Sequence, residues 1–152
     1  MRAMGSYNTA ETAVPRFDFG LGIYYHFFMG DAATEQVIAQ IDKLKETTAY
    51  GDWDSYEAQA VGLGEREQAK ECVRVIRQII GEGFAQPLVS PISDPGVALI
   101  WRKKGHGEVD ALFTPRGAAY VVIGDDRKLV TKGPIRNYEK FARDVLNQFL
   151  GQ

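Results

Sequence analysis

The chain is poor in the residues that build metal centres and nucleophilic sites. Among its 152 residues there are one cysteine and two histidines. Cys72 alone cannot form an internal disulfide, which favours a reducing cytosol. His26 and His106 belong to no zinc- or calcium-binding motif. Asp52 and Asp54 could share a cation, but capping of helices or turns explains them better. We therefore expect no metal ion, no cofactor and no catalytic residue.

The sequence also lacks a long apolar run. Its longest, residues 23–29, is interrupted by His26 and is far shorter than the roughly 20 residues that cross a bilayer. The first residues show no basic region followed by a sustained apolar stretch, as a secretory leader would have. The sequence therefore predicts a cytoplasmic protein without a membrane partner.

Charge is distributed unevenly along the chain, although the net charge is only -2. Residues 31–86 carry a net charge of -5 and residues 87–152 a net charge of +3. A helical half and a sheet half with different surface residues explain this asymmetry most simply. The alternative is that two faces meet different partners, or each other in a dimer.

Hydrophobic periodicity predicts an α+β fold, because it changes from a helical to an alternating pattern near residue 87. We expect residues 1–14 to be a flexible tail and residues 15–152 to be a single α+β domain. Helices are predicted over about 31–48, 65–80 and 137–150, and strands over about 88–92, 97–102, 108–114, 118–123 and 128–132. Short turns between the strands favour an antiparallel β-meander of four to five strands, packed against two to three helices. Alternation within the strand 108–114 puts Glu108, Asp110 and Thr114 on a face turned to water.

An aromatic-rich segment precedes the first predicted helix. Six of its side chains are candidates for contact with a partner or a second copy: Phe17, Phe19, Tyr24, Tyr25, Phe27 and Phe28. An ordinary strand packed within the same chain is the alternative. An uncovered segment of this kind would form an apolar patch, which is typical of interfaces.

A second aromatic group surrounds the connection between the first two helices. We expect Trp53, Asp54, Tyr56 and Trp101 to be structural anchors, because Trp and Tyr bury well and keep one polar group for a hydrogen bond. The block at residues 53–58, the helix that follows it and the strand that ends at Trp101 resemble an uncharacterised family of small bacterial proteins. The resemblance covers residues 50–125 and departs from the family pattern at Ser55, Glu57 and Pro95. It implies a bacterial source and a partner-binding role near mobile-element or defence genes, and no activity.

Two turns of the predicted meander are basic. The turn after the second strand carries Arg102, Lys103, Lys104 and His106, and the turn after the fourth carries Arg127 and Lys128. Alternate turns of a meander lie at the same end, so we expect these residues to converge. They could bind nucleic acid, or they could form a solvated hairpin end diluted by Asp125 and Asp126.

These patterns favour a non-enzymatic protein-interaction module, such as a regulator or an antitoxin- or immunity-like partner in a bacterial cytosol. Its partner would be another protein or a second copy of the chain. A nucleic-acid-associated module is the first alternative. A small hydrolase or nuclease is the second, and it requires Asp52, Asp54 or a histidine beside other ionisable groups in a cleft.

Overall fold

The computed structural model describes residues 32–49, 60–81 and 84–151. The predicted tail boundary, the aromatic segment 15–29 and the anchors Trp53, Asp54 and Tyr56 lie outside these residues. Residues 37–152 belong to one compact unit.

Three helices and five strands make up the described fold. The helices are α1 (Ala32–Thr47), α2 (Leu63–Ile80) and α3, which consists of Tyr138–Phe141, a π-helical turn Ala142–Leu146 and Asn147–Gly151. The strands are β1 (Leu88–Ile92), β2 (Gly96–Lys103), β3 (Gly107–Thr114), β4 (Gly117–Ile123) and β5 (Leu129–Pro134). The predicted positions are correct to within about two residues.

The strands form one open antiparallel sheet in the order β1-β2-β3-β4-β5, so the predicted α+β class is confirmed. Each strand pairs with the next one in the chain, and a short turn connects the two. Gly107 enters β3 with φ +95, and a side chain there would collide with the backbone oxygen of Ile123. Glycine at this position therefore lets the β2–β3 turn approach the end of β4 closely.

One face of the sheet packs against helices. The buried residues of β2 and β3 on this face are Val97, Leu99, Trp101, Val109, Ala111 and Phe113. Trp101 is 2% exposed, and its Nε1–H donates to the Ala85 carbonyl over 2.9 Å. Its ring lies 6.3 Å from that of Phe141 on α3. Trp101 thereby joins the sheet, the loop before β1 and the last helix.

Polar contacts connect α1 with α2. Lys70 on α2 reaches Asp42 on α1 over 2.9 Å. Thr48 is buried just after α1, and its hydroxyl accepts the Val61 N–H over 3.0 Å. The hydroxyl also donates to the Leu44 carbonyl, so its hydrogen-bonding capacity is satisfied inside the core.

The last helix is capped by Asn137, whose Oδ1 accepts the Lys140 N–H over 2.9 Å. Its middle differs from the prediction of a regular α-helix. Residues Ala142–Leu146 form a π-turn, in which the Asn147 N–H donates to the Ala142 carbonyl. The hydrophobic spacing still buries Phe141, Ala142, Leu146 and Phe149, so the apolar pattern alone does not reveal the wider turn.

Candidate functional site

Two arginines and two carboxyl groups meet at the end of the sheet where the β2–β3 and β4–β5 turns lie. Arg102 Nε and Arg127 Nη1 each lie 3.1 Å from Glu108 Oε1. Arg102 pairs with Glu108 across the hairpin, and Asp110 is the next residue of β3 on the same face. The predicted convergence of the two turns therefore occurs, and the two arginines meet at an acid.

The expectation that Glu108 faces water was wrong. Its side chain is only 5% exposed, whereas those of Arg102 and Arg127 are 60% and 66% exposed. The guanidinium groups supply the charge-assisted hydrogen bonds that make burial of the carboxylate tolerable. The backbone of Arg127 has a left-handed conformation with φ 67, in a turn where its N–H donates to the Gly124 carbonyl over 2.9 Å.

The two carboxyl groups have pKa values shifted in opposite directions. Burial raises the pKa of Asp110 to about 7, and its hydrogen bond to Glu108 adds to this effect. Burial alone would raise the pKa of Glu108, but hydrogen bonds from Asp110, Arg102 and Arg127 outweigh it and lower the pKa. Asp110 Oδ1 is buried and has no hydrogen-bond partner among the described residues. A proton on Asp110 would allow a hydrogen bond between the two carboxyl groups.

The other basic side chains of these turns have separate surroundings. Lys103 Nζ donates to the Leu150 carbonyl at the end of α3 over 2.8 Å. His106 Nδ1 lies 3.2 Å from the Lys104 carbonyl oxygen, within its own turn. Lys104 and Lys128 are exposed. This end of the sheet is therefore basic at its rim, and at its centre Glu108 offsets part of the charge of Arg102 and Arg127.

A cleft of about 720 Å³ lies between β4, β5 and α3. Its apolar lining residues include Tyr120, Val122, Phe141, Val145 and Phe149. Its polar lining residues are His106, Thr131, Arg136, Asn137, Lys140, Asp144 and Gln148. Nothing in the sequence pattern indicated this cleft, because its residues come from a turn, two strands and a helix that are separate in sequence.

The β5 edge is the most exposed strand of the sheet. Within the described chain, β5 pairs only with β4. Leu129 is 57% exposed and Val130 is 64% exposed. Lys128 and Lys132 lie on either side of them and are exposed as well.

The remaining candidates for chemistry have structural surroundings or lie outside the described residues. Cys72 is fully buried on α2, and burial raises its pKa to about 12, which disfavours the reactive thiolate. Asp126 Oδ1 accepts the Lys128 N–H over 3.0 Å, as expected for a turn residue. His26, Asp52 and Asp54 fall outside the described ranges.

Within residues 32–49, 60–81 and 84–151, no group of three or more His, Cys, Asp or Glu residues could hold a metal ion. None of the helices in the described part of the chain has the length and apolar character needed to cross a bilayer. Comparison with protein-family models, with curated proteins and with solved structures gave no match.

Proposed function

We propose that this protein is a non-enzymatic interaction module that binds an extended, acidic segment of a protein partner along the edge of β5. The observation that supports this proposal is the exposed edge itself, which combines Leu129 and Val130 with backbone groups that no other strand of the described chain pairs with. A strand edge of this kind can accept a further strand through main-chain hydrogen bonds.

Hydrogen-bond alternation identifies the backbone groups that are available on β5. The Ile135 N–H donates to the Ala118 carbonyl over 2.9 Å, so residues 133 and 131 also face β4 in the alternating ladder. Lys132 falls between them, and its N–H and C=O therefore point away from the sheet. Pro134 occupies the next outward position, where a missing N–H does not disturb the pairing with β4.

The opposite edge of the sheet is less suited to strand addition. Strand β1 contains Pro91 within its five residues. Proline has no N–H to offer an added strand, and natural proteins use it to protect sheet edges. Leu88 on β1 is nevertheless 53% exposed, which is close to the value for Leu129. The two edges differ in backbone donors more than in apolar exposure.

Charge favours an acidic partner over a second copy at this edge. An antiparallel pair of two β5 strands that sets Leu129 of one copy opposite Val130 of the other places Lys132 opposite Arg127. Like charges directly opposite each other destabilise a strand pair. Glutamate or aspartate at those positions of a partner would instead form cross-strand ion pairs. Self-association through the aromatic segment 15–29 stays a separate prediction.

We place this binding role in a bacterial cytosol, as the sequence predicts. The single cysteine favours the cytosol, and the resemblance of residues 50–125 to small bacterial proteins suggests a regulator or an antitoxin- or immunity-like partner. The exposed β5 edge supports a partner-binding role without naming the partner.

The test uses a fluorescein-labelled peptide of alternating glutamate and valine, with a lysine–valine peptide for comparison. We expect saturable binding of the acidic peptide by fluorescence anisotropy and weaker binding of the basic one. Lys132→Gln removes only the charge and should weaken binding about threefold. Lys132→Pro also removes the outward N–H and should weaken binding at least about tenfold.

Two matched leucine variants separate the edges. Leu129→Ser should weaken binding of the acidic peptide about fivefold, whereas Leu88→Ser should leave it unchanged. Equal binding by Lys132→Pro and the wild-type protein, with unchanged circular dichroism, would contradict the proposal. Binding that Leu88→Ser weakens as much as Leu129→Ser would contradict it too.

The nucleic-acid alternative is supported by the convergence of the two basic turns. Lys104 and Lys128 at this end are exposed, although Glu108 engages both Arg102 and Arg127. Salt-sensitive binding of duplex DNA that disappears in a Lys104→Glu, Lys128→Glu variant would favour this alternative. A hydrolase or nuclease using Asp52 or Asp54 stays a prediction, because these residues lie outside the described ranges.

A further inference from the structure

We infer that the cleft between β4, β5 and α3 is a binding site for a small amphipathic anion, with an apolar body and a single carboxylate- or sulfonate-type head group. This site shares Val130 with the β5 edge but does not depend on strand addition there. Its volume of about 720 Å³ is within the range that holds small organic ligands.

The inner wall of the cleft fits an apolar, planar body. The rings of Tyr120 and Phe141 lie 5.8 Å apart at an interplanar angle of 41°. Val122, Val145 and Phe149 add aliphatic and aromatic surface around them. Such a wall gains from burial of ligand surface and offers few polar groups to satisfy.

The irregular course of β5 contributes to the cleft. Val122 pairs with Thr131 and Ile123 pairs with Leu129, so Val130 is an extra residue opposite β4. This β-bulge lets Val130 and Thr131, which are adjacent in sequence, both line the cleft. A Cβ at Gly133 would lie 3.2 Å from ring atoms of Tyr120, so glycine leaves space for that ring.

The rim of the cleft carries the charge that selects an anion. Lys140 Nζ lies 3.5 Å from Asp144 Oδ2, so the charges of these two lining residues offset each other. Arg136 also lines the cleft, and no carboxylate of the described chain forms an ion pair with it. Asn137 and Gln148 add amide groups nearby. Arginine is well suited to a carboxylate or sulfonate, because its planar fork donates two parallel hydrogen bonds.

The α3 wall of the cleft contains a π-helical turn. The π-turn Ala142–Leu146 contains Asp144 and Val145, both of which line the cleft. Such turns are rare in helices and frequently occur at functional sites. The turn places an irregular helix segment beside the aromatic wall and the charged rim.

The experiment compares two fluorescent probes with related apolar bodies on the 152-residue protein. The first is 8-anilinonaphthalene-1-sulfonate, which carries one negative charge, and the second is the neutral N-phenyl-1-naphthylamine. We expect both to bind saturably at one site. Arg136→Gln should weaken binding of the sulfonate about tenfold and leave that of the neutral probe unchanged. Val145→Phe fills the cleft and should weaken binding of both.

Two control variants test whether the probes bind in the cleft. Arg143→Gln removes an exposed arginine of the same helix that pairs with Glu139 and does not line the cleft, so binding should not change. Lys132→Pro should leave both probes bound, which separates this site from the β5 edge. Absence of saturable binding to the wild-type protein would overturn the inference. The inference would also be overturned if Arg136→Gln and Arg143→Gln weakened binding of the sulfonate probe equally.

Discussion

The two faces of the sheet differ sharply although they alternate along the same strands. On the helix-covered face, Leu99, Val109 and Phe113 are fully buried. On the opposite face, Ile100, Leu112 and Val121 are only partly buried, and the arginine–carboxylate cluster lies beside them. One face therefore supplies most of the apolar burial, and the other combines moderate apolar exposure with groups that titrate.

This difference shows that side-chain alternation does not divide the sheet into a dry face and a wet one. The face opposite the helices contains a nearly buried acid, Glu108, and several apolar neighbours. Its charged groups are held by specific partners and not by water alone. The two faces should therefore respond differently to truncation and to pH.

The largest expected difference is between leucines on the two faces. Leu99→Ala should lower the free energy of unfolding by about 3 kcal/mol, because it leaves a cavity in a fully buried site. Leu112→Ala should cost about 1 kcal/mol, because Leu112 is partly exposed already. Urea unfolding followed by circular dichroism measures both values. Equal losses would mean that the two faces are equally buried.

Removal of the buried acid should have an intermediate effect. Glu108→Ala leaves Arg102 and Arg127 facing each other without their shared carboxylate. We expect a loss of about 2 kcal/mol in unfolding free energy, limited by the access of both arginines to water. Asp94→Ala is the control, because its ion pair with Arg116 at the other end of the sheet is exposed. That change should cost less than about 0.5 kcal/mol, and a larger loss than for Glu108→Ala would refute this account.

The smallest effect concerns pH. Asp110 has a pKa of about 7 in the fold against an ordinary value of 3.8, so the native state holds a proton that the unfolded chain releases between these values. The free energy of unfolding should therefore decrease as pH rises from 3.8 to about 7. The lowered pKa of Glu108 has the opposite effect: below pH 4.5, its ordinary pKa, the free energy of unfolding should decrease as pH falls.

Asp110→Asn imitates the protonated carboxyl group and should remove this part of the pH dependence. Relative to the variant, the wild-type protein should lose about 1 kcal/mol across the interval, since solvent screens a half-buried group. Urea unfolding at a series of pH values gives the comparison. Parallel pH profiles for the two proteins would show that Asp110 does not hold the proton.

Much of the fold could be predicted from local patterns. Glycine and proline mark the turns, and the change of hydrophobic period separates the helices from the strands. The proximity of Arg102 and Arg127 could be predicted because alternate turns of a meander lie at the same end of the sheet. The pairing of Arg102 with Glu108 was also open to prediction, because a short hairpin that closes at Gly105 sets these residues opposite each other.

Other features depend on contacts that no local pattern reveals. Alternation assigned Glu108 to water because it cannot show that a second turn, 19 residues further on, delivers Arg127 to the same oxygen. The extra residue Val130 and the π-turn of α3 leave the apolar spacing nearly unchanged, and so the cleft between them was not foreseen. Such features arise from the fit between elements rather than from the composition of any one of them.

The backbone of Arg127 has a left-handed conformation in the β4–β5 turn. Its φ of 67 belongs to a region that costs an ordinary residue about 1 kcal/mol and glycine almost nothing. Backbone hydrogen bonds close the turn: the Arg127 N–H donates to the Gly124 carbonyl and the Gly124 N–H donates to the Lys128 carbonyl, each over 2.9 Å. The guanidinium group of Arg127 also binds Glu108 on β3, so the tip of this hairpin is anchored to a strand that is not part of the hairpin.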